Sequence, residues 1–130
     1  MKFLRCGNKG QEIPAVLDKN GHMRDLSSII SDFDPKNLSL KNLATLKKIN
    51  LDKLPKILNS VRIGSCISNP GKFVGIGLNY SDHAAEIGAK IPKEPIVFMK
   101  ASSCLAGPND DIIIPKNSTK CDWEVEIAFV

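Results

Sequence analysis

Two glutamates near the C-terminal end, Glu124 and Glu126, are the first residues whose spacing suggests chemistry. The residues around them, 123–130, alternate between apolar and polar, which predicts a strand with both carboxylates on one face. Two carboxylates roughly 6–7 Å apart on a strand repel each other, and a hard divalent cation such as Mg²⁺ or Mn²⁺ relieves that repulsion. Spacing alone also fits the polar face of an ordinary half-exposed strand, which is the commoner cause of this pattern.

A histidine and a glutamate form the second candidate group. The sequence predicts a helix from Ser81 to Ile87 that Gly88 ends, and His83 and Glu86 lie three residues apart on one face of it. A carboxylate beside an imidazole can orient the ring and raise its basicity, which is what a general base requires. The alternative is an ordinary His/Glu pair on an exposed helix.

Lys100 ends a predicted strand, 96–100, beside a polar loop, where it can bind a substrate carboxylate or be a plain surface lysine. The glycines of Gly75-Ile76-Gly77 lie between a predicted strand and the helix, as in dinucleotide-binding proteins. That fingerprint needs a third glycine where this chain has Tyr80. We therefore expect the two glycines to let the backbone turn tightly into the helix.

Composition excludes several classes of function. Among 130 residues, 18 Lys and Arg against 14 Asp and Glu give a net charge of +4, and the lysines are scattered rather than clustered. With only 5% aromatic residues, this pattern argues against nucleic-acid binding. No stretch approaches the ~20 apolar residues of a membrane helix, and Arg5 interrupts any secretion signal. Four widely spaced cysteines predict free, mostly buried thiols rather than a zinc site, and a cytoplasmic protein.

Turn signals divide the chain into short elements of an α+β, mainly β protein. Strands are expected over 1–6, 12–17, 22–26 and 61–67, with a tight turn at Asn20-Gly21. Short helices are expected within 27–60, one of them capped by Ser39. The break at 68–71 predicts a small N-terminal domain, 1–69, and a second domain, 70–130. The second begins with a strand at 72–77, and 112–114 predicts a short β run before the final strand.

Several stretches together resemble the fumarylacetoacetate hydrolase family, notably its two-part members similar to 2-hydroxyhepta-2,4-diene-1,7-dioate isomerase. The N-terminal residues 17–27 are also similar to the small leading domain of these proteins. The stretches that carry the resemblance are Gly71-Lys72-Phe73-Val74-Gly75-Ile76-Gly77-Leu78-Asn79-Tyr80, then Ser81-Asp82-His83-Ala84-Ala85-Glu86, Pro95-Ile96-Val97-Phe98-Met99-Lys100, Gly107-Pro108, Ile114-Pro115 and Asp122-Trp123-Glu124-Val125-Glu126-Ile127.

The resemblance implies a mixed β-roll, an Mg²⁺ or Mn²⁺ cofactor, and hydrolase, isomerase, decarboxylase or lyase chemistry on small oxo-acids. It implies that Glu124 and Glu126 are metal ligands and that His83 and Glu86 activate water. Lys100, Asn79 and Tyr80 would contact substrate, and the intact enzyme would be a homodimer.

The same resemblance places a third metal ligand, an aspartate, further along than Val130. We therefore expect that the chain is truncated at its C-terminus and that the remainder of the protein supplies partner strands. The truncated chain alone should be inactive. The alternative is a non-catalytic remnant, a binding or association module that uses an exposed strand.

Overall fold

The computed structural model describes residues 1–130, and its N-terminal part is a three-stranded antiparallel sheet. The strands are β1 (Lys2–Cys6), β2 (Ile13–Leu17) and β3 (Met23–Asp25), in the order β1-β2-β3. The tight turn between β2 and β3 is built as the sequence predicts, since Gly21 has φ 79° and the Asp18 carboxylate accepts from the N–H of Asn20. The three predicted N-terminal strands and the turn at Asn20-Gly21 are therefore confirmed.

Each face of this sheet carries its own apolar cluster, because successive side chains of a strand point to opposite faces. Phe3 packs on the cluster that contains Val16 and Phe33, and its ring centroid lies 5.2 Å from that of Phe33. The two clusters are Leu4, Cys6, Ala15 and Met23 on one face, and Val16, Leu26, Phe33 and Leu46 on the other.

The helical region within the predicted N-terminal domain agrees only in part with the sequence. Helix α1 (Leu40–Leu46) begins after Ser39, whose hydroxyl accepts from the N–H of Asn42 at 3.2 Å, as expected of an N-cap. A single 3-10 turn forms at Leu51–Lys53. Residues 27–30 form only a turn, and the predicted strand at 61–67 reduces to one bridge between Cys6 and Ile63.

A two-stranded antiparallel sheet and a short helix follow. Strand β4 (Phe73–Gly77), α2 (Ser81–Glu86) and β5 (Ile96–Lys100) lie where the sequence predicts them, to within one residue at their ends. The structure adds that β4 pairs with β5. Every residue of β5 is exposed. The chain therefore has two separate sheets, and no helix in it is long and apolar enough to cross a membrane.

The prediction that Gly75 and Gly77 let the backbone turn tightly into the helix was wrong. A Cβ at Gly75 would lie 2.5 Å from Cζ of Phe98, and one at Gly77 would lie 3.3 Å from Cγ2 of Ile96. Neither glycine has a positive φ; the turn toward α2 is made by Leu78, with φ 49°. The glycines thus make room for the side chains of the paired strand.

Residues 105–130 contain no strand or helix, so the strands predicted at 112–114 and 123–130 are not formed. Trp123 is 79% exposed and Phe129 is 93% exposed. An alternating pattern makes a strand only where a neighbour satisfies its N–H and C=O groups. No neighbouring strand pairs with either segment.

Two arginines attach loops to the first sheet. Arg5 makes a two-pronged contact with Asp32, with Nε 2.6 Å and Nη2 2.9 Å from the carboxylate oxygens. Arg62 does the same to Asp110, at 2.6 Å for both pairs, and also donates to Glu12 at 2.8 Å. The charge-assisted bonds of Arg62 tie the loop after β5 to the turn that precedes β2, and those of Arg5 tie the loop of Asp32 to β1.

The cysteines are free, as expected, but only one is buried. Cys6 is fully buried, and burial, helped by the charge of Asp25, raises the pKa of its thiol. Cys66, Cys104 and Cys121 are exposed, so the expectation of mostly buried thiols was wrong. Cys104 and Cys121 lie in segments that contribute no residue to either apolar cluster.

We predict that Gly75→Ala displaces the Phe98 ring, because the new methyl group would overlap it. Overpacking of this kind costs about 1–3 kcal/mol. NMR should show altered Phe98 ring resonances and faster amide exchange in β5. Gly71→Ala is the matched control, since nothing lies within 4 Å of a Cβ there. Unchanged Phe98 resonances in Gly75→Ala would contradict the packing.

The ion pair of Asp110 predicts a loss of stability in acid. The Arg62 guanidinium and the N–H of Gly107 lower the pKa of Asp110 from 3.8 to about 2. Because the unfolded chain binds the proton first, this contribution is complete above about pH 4 and falls as the pH drops toward 2. Thermal midpoints from pH 5 to 2 should fall less steeply in Asp110→Asn, whereas Asp111→Asn should behave as wild type. Parallel curves for wild type and Asp110→Asn would exclude this origin.

Candidate functional site

Helix α2 presents the His/Glu pair on its exposed surface. Nδ1 of His83 lies 3.5 Å from Oε2 of Glu86, and these side chains are 50% and 78% exposed. The pair is thus close enough for a long hydrogen bond that orients the ring, as the spacing predicts. Asp82 does not cap the helix; its carboxylate accepts from the N–H of His83.

The entry to α2 is set by backbone strain at Leu78. A non-glycine residue with a left-handed φ costs roughly 1–2 kcal/mol and marks a turn that its surroundings hold in place. Asn79 follows it and lines a cleft of about 400 Å³ together with Ser81, Lys93 and Glu94. The sequence pattern did not predict Lys93 and Glu94 as lining residues, although their position between Pro92 and Pro95 indicates a loop beside β5.

Lys100 lies at the other end of the two-stranded sheet. It pairs with Phe73 at the start of β4, whereas α2 follows Gly77 at the end of that strand. Four residue steps along β4, from Phe73 to Gly77, separate these ends by roughly 13 Å. The Lys100 ammonium stands 5.8 Å from the ring centroids of both Phe73 and Phe98, a cation–π arrangement. The structure therefore does not place Lys100 beside His83.

The two predicted metal ligands lie on the extended segment near α2. The N–H of Ile127, next to Glu126, donates to the hydroxyl of Tyr80 at 3.2 Å. Tyr80 occupies the N-cap position of α2 without making a side-chain cap. One contact thus brings the carboxylate segment to the helix that carries His83.

The donor chemistry of this segment suits a hard divalent cation, although the ligand set is small. Glu124 and Glu126 offer carboxylate oxygens and take part in no ion pair of the chain, so both are available to a cation. No three His, Cys, Asp or Glu side chains of residues 1–130 cluster as a metal site would need. These two residues can therefore hold part of a metal's coordination shell.

A second cleft, of about 450 Å³, lies between the N-terminal sheet and the loop after β5. Its only lining cation is Arg5, which is already engaged with Asp32 and the Ser65 carbonyl. Burial opposes ionisation of Asp32, but hydrogen bonds from Arg5, Ser68 and the Phe33 N–H outweigh it and lower the pKa of Asp32. The charged groups that line this cleft, Arg5, Glu12 and Asp32, are paired with one another, which is a structural arrangement.

Comparison with known proteins finds similarity to a known family in the second part of the chain. Residues 72–130 match the family model described as fumarylacetoacetate (FAA) hydrolase C-terminal. Proteins named "Putative hydrolase" from Burkholderia lata, Burkholderia ambifaria and Burkholderia multivorans are each 52% identical to all 130 residues. The chain spans about half, 46%, of the length of these relatives.

The matched residues include β4, α2, β5 and the segment that carries the two glutamates. The identity to the relatives extends over the N-terminal sheet as well, because the alignment covers the whole chain. Residues 72–130 are therefore similar to the C-terminal domain of the fumarylacetoacetate hydrolase family.

Proposed function

We propose that the chain is the N-terminal part of a divalent-metal-dependent enzyme that acts on small oxo-acids. The observation that carries the proposal is the contact between Tyr80 and Ile127, which joins the helix of the His/Glu pair to the segment of paired carboxylates. The family match and the hydrolase names of the relatives support an enzyme of the hydrolase kind. Isomerase, decarboxylase and lyase reactions are related outcomes of the same chemistry.

The residues divide the work by their chemical type. His83, oriented by Glu86, removes a proton from water or from a substrate carbon, and the exposure of both side chains leaves them accessible to a ligand. Glu124 and Glu126 would hold Mg²⁺ or Mn²⁺, which would supply Lewis-acid stabilisation of developing negative charge. Asn79, in its cleft beside α2, and the Tyr80 hydroxyl offer hydrogen bonds to substrate oxygens.

Lys100 has a separate place in the proposal because it lies at the far end of β5. Its ammonium is held by aromatic rings rather than by a carboxylate, so its charge remains available to a substrate carboxylate group. A substrate that contacts both Lys100 and His83 would need to span the length of the two-stranded sheet.

We place β4 and β5 in a mixed β-roll, because both faces of this sheet carry exposed apolar side chains that further strands would cover. We also propose that the intact protein is a homodimer and is cytoplasmic. The free thiols of Cys66, Cys104 and Cys121 support a reducing compartment.

Metal binding by the 130-residue chain tests the role of the carboxylates. We expect Mn²⁺, followed by electron paramagnetic resonance, to bind weakly, and Glu124→Gln or Glu126→Gln to reduce the affinity by at least about tenfold. Asp111→Asn is the matched control, since Asp111 is an exposed carboxylate outside the proposed site. Equal Mn²⁺ affinity in all four proteins would contradict the assignment.

Turnover tests the role of the histidine. Residues 1–130 joined to the remaining part of the Burkholderia lata relative, with Mn²⁺ and a panel of oxo-acids, should show activity that excess chelator removes. His83→Ala should lower kcat by about 10²–10⁴-fold, the usual contribution of a general base, and leave Mn²⁺ affinity unchanged. Wild-type rates in this variant would exclude the proposed base. Metal binding without any turnover would favour a non-catalytic association module.

A further inference from the structure

A single hydrogen bond joins the last twelve residues, 119–130, to the rest of the molecule. It runs from the N–H of Ile127 to the hydroxyl oxygen of Tyr80, 47 residues away in the sequence. The other hydrogen bond within this segment is local, from the N–H of Trp123 to the carboxylate of Asp122. No backbone–backbone bond involves residues 119–130.

The position of this bond matters because of what lies next to each partner. Ile127 directly follows Glu126, and Tyr80 directly precedes α2, which carries His83. A tyrosine side chain has only two rotatable torsions, so it fixes a distance with little loss of conformational freedom. Its hydroxyl accepts from Ile127 and keeps its own proton, which can still be donated to a ligand.

We propose that Tyr80 is a positioning residue, whose hydroxyl oxygen holds the Glu124–Glu126 segment beside α2. The two carboxylates and His83 then face one ligand instead of moving independently. This inference rests on the proposed function for its purpose, but the positioning itself is a property of the chain. A neutral hydrogen bond of this kind should shift the population of the docked segment about threefold to tenfold.

The chain contains its own probe of this distance. Tyr80 is the single tyrosine and Trp123 the single tryptophan, so energy transfer from tyrosine to tryptophan reports only this pair. Trp123 is four residues from Ile127, which limits their separation along the chain to roughly 14 Å. Transfer in the wild-type chain should therefore exceed transfer in a chain whose segment is released from Tyr80.

Ile127→Pro removes the donating N–H and leaves both fluorophores in place. We expect tryptophan emission sensitised through tyrosine to fall clearly in this variant. Val125→Pro is the matched control, because it also introduces proline into the segment but keeps the N–H of Ile127. Equal transfer in wild type and Ile127→Pro would overturn the proposal, as would an equal fall in both proline variants.

Tyr80→Phe tests the purpose of the contact by deleting only the hydroxyl. The anisotropy of Trp123 emission should fall as the segment is released, and Mn²⁺ affinity should fall about threefold to tenfold. Unchanged anisotropy would overturn the positioning. Higher transfer in wild type than in Ile127→Pro, together with no Mn²⁺ binding by the wild-type chain, would leave the positioning intact and refute the proposed metal site. Equal Mn²⁺ affinity in Tyr80→Phe and wild type would refute the link between them.

Discussion

The contact of Arg62 with two carboxylates is the interaction on which the arrangement of the two halves depends. Its guanidinium meets Asp110 from the loop after β5 and Glu12 from the turn before β2. The backbone is also closely packed at this junction: Gly107 lies so near Ile63 that a Cβ at Gly107 would collide with the carbonyl oxygen of Ile63. Without this junction, the loop that follows Lys100 would have little to hold it against the N-terminal sheet.

The two sheets differ in how well neighbouring elements cover their apolar faces. The first has an apolar cluster on each face and a helix and loops that cover it. The second has two strands only, and exposed apolar side chains on β4 and throughout β5. Two strands bury too little surface to form a core of their own, so the candidate site stands on the less protected half of the molecule.

The elements that the sequence predicted correctly are those governed by local rules. Asn20-Gly21 makes its turn, Ser39 caps α1, and β5 has the predicted bounds, because each depends on residues only a few positions apart. The His83–Glu86 spacing follows from the helix repeat in the same way. The final strand failed because alternation says which way side chains point, but not whether a partner strand is present.

The sequence by itself determined the Asn20-Gly21 turn, the Ser39 cap of α1, the His/Glu spacing on α2 and the alternation around Glu124 and Glu126. The tertiary structure decided that Gly75 serves Phe98 rather than a turn, that Lys100 lies apart from His83, and that Tyr80 meets Ile127. The physical reason is range. Local patterns act through torsions and hydrogen bonds within a few residues, whereas these contacts depend on which segments pair and pack, which no short stretch of sequence encodes.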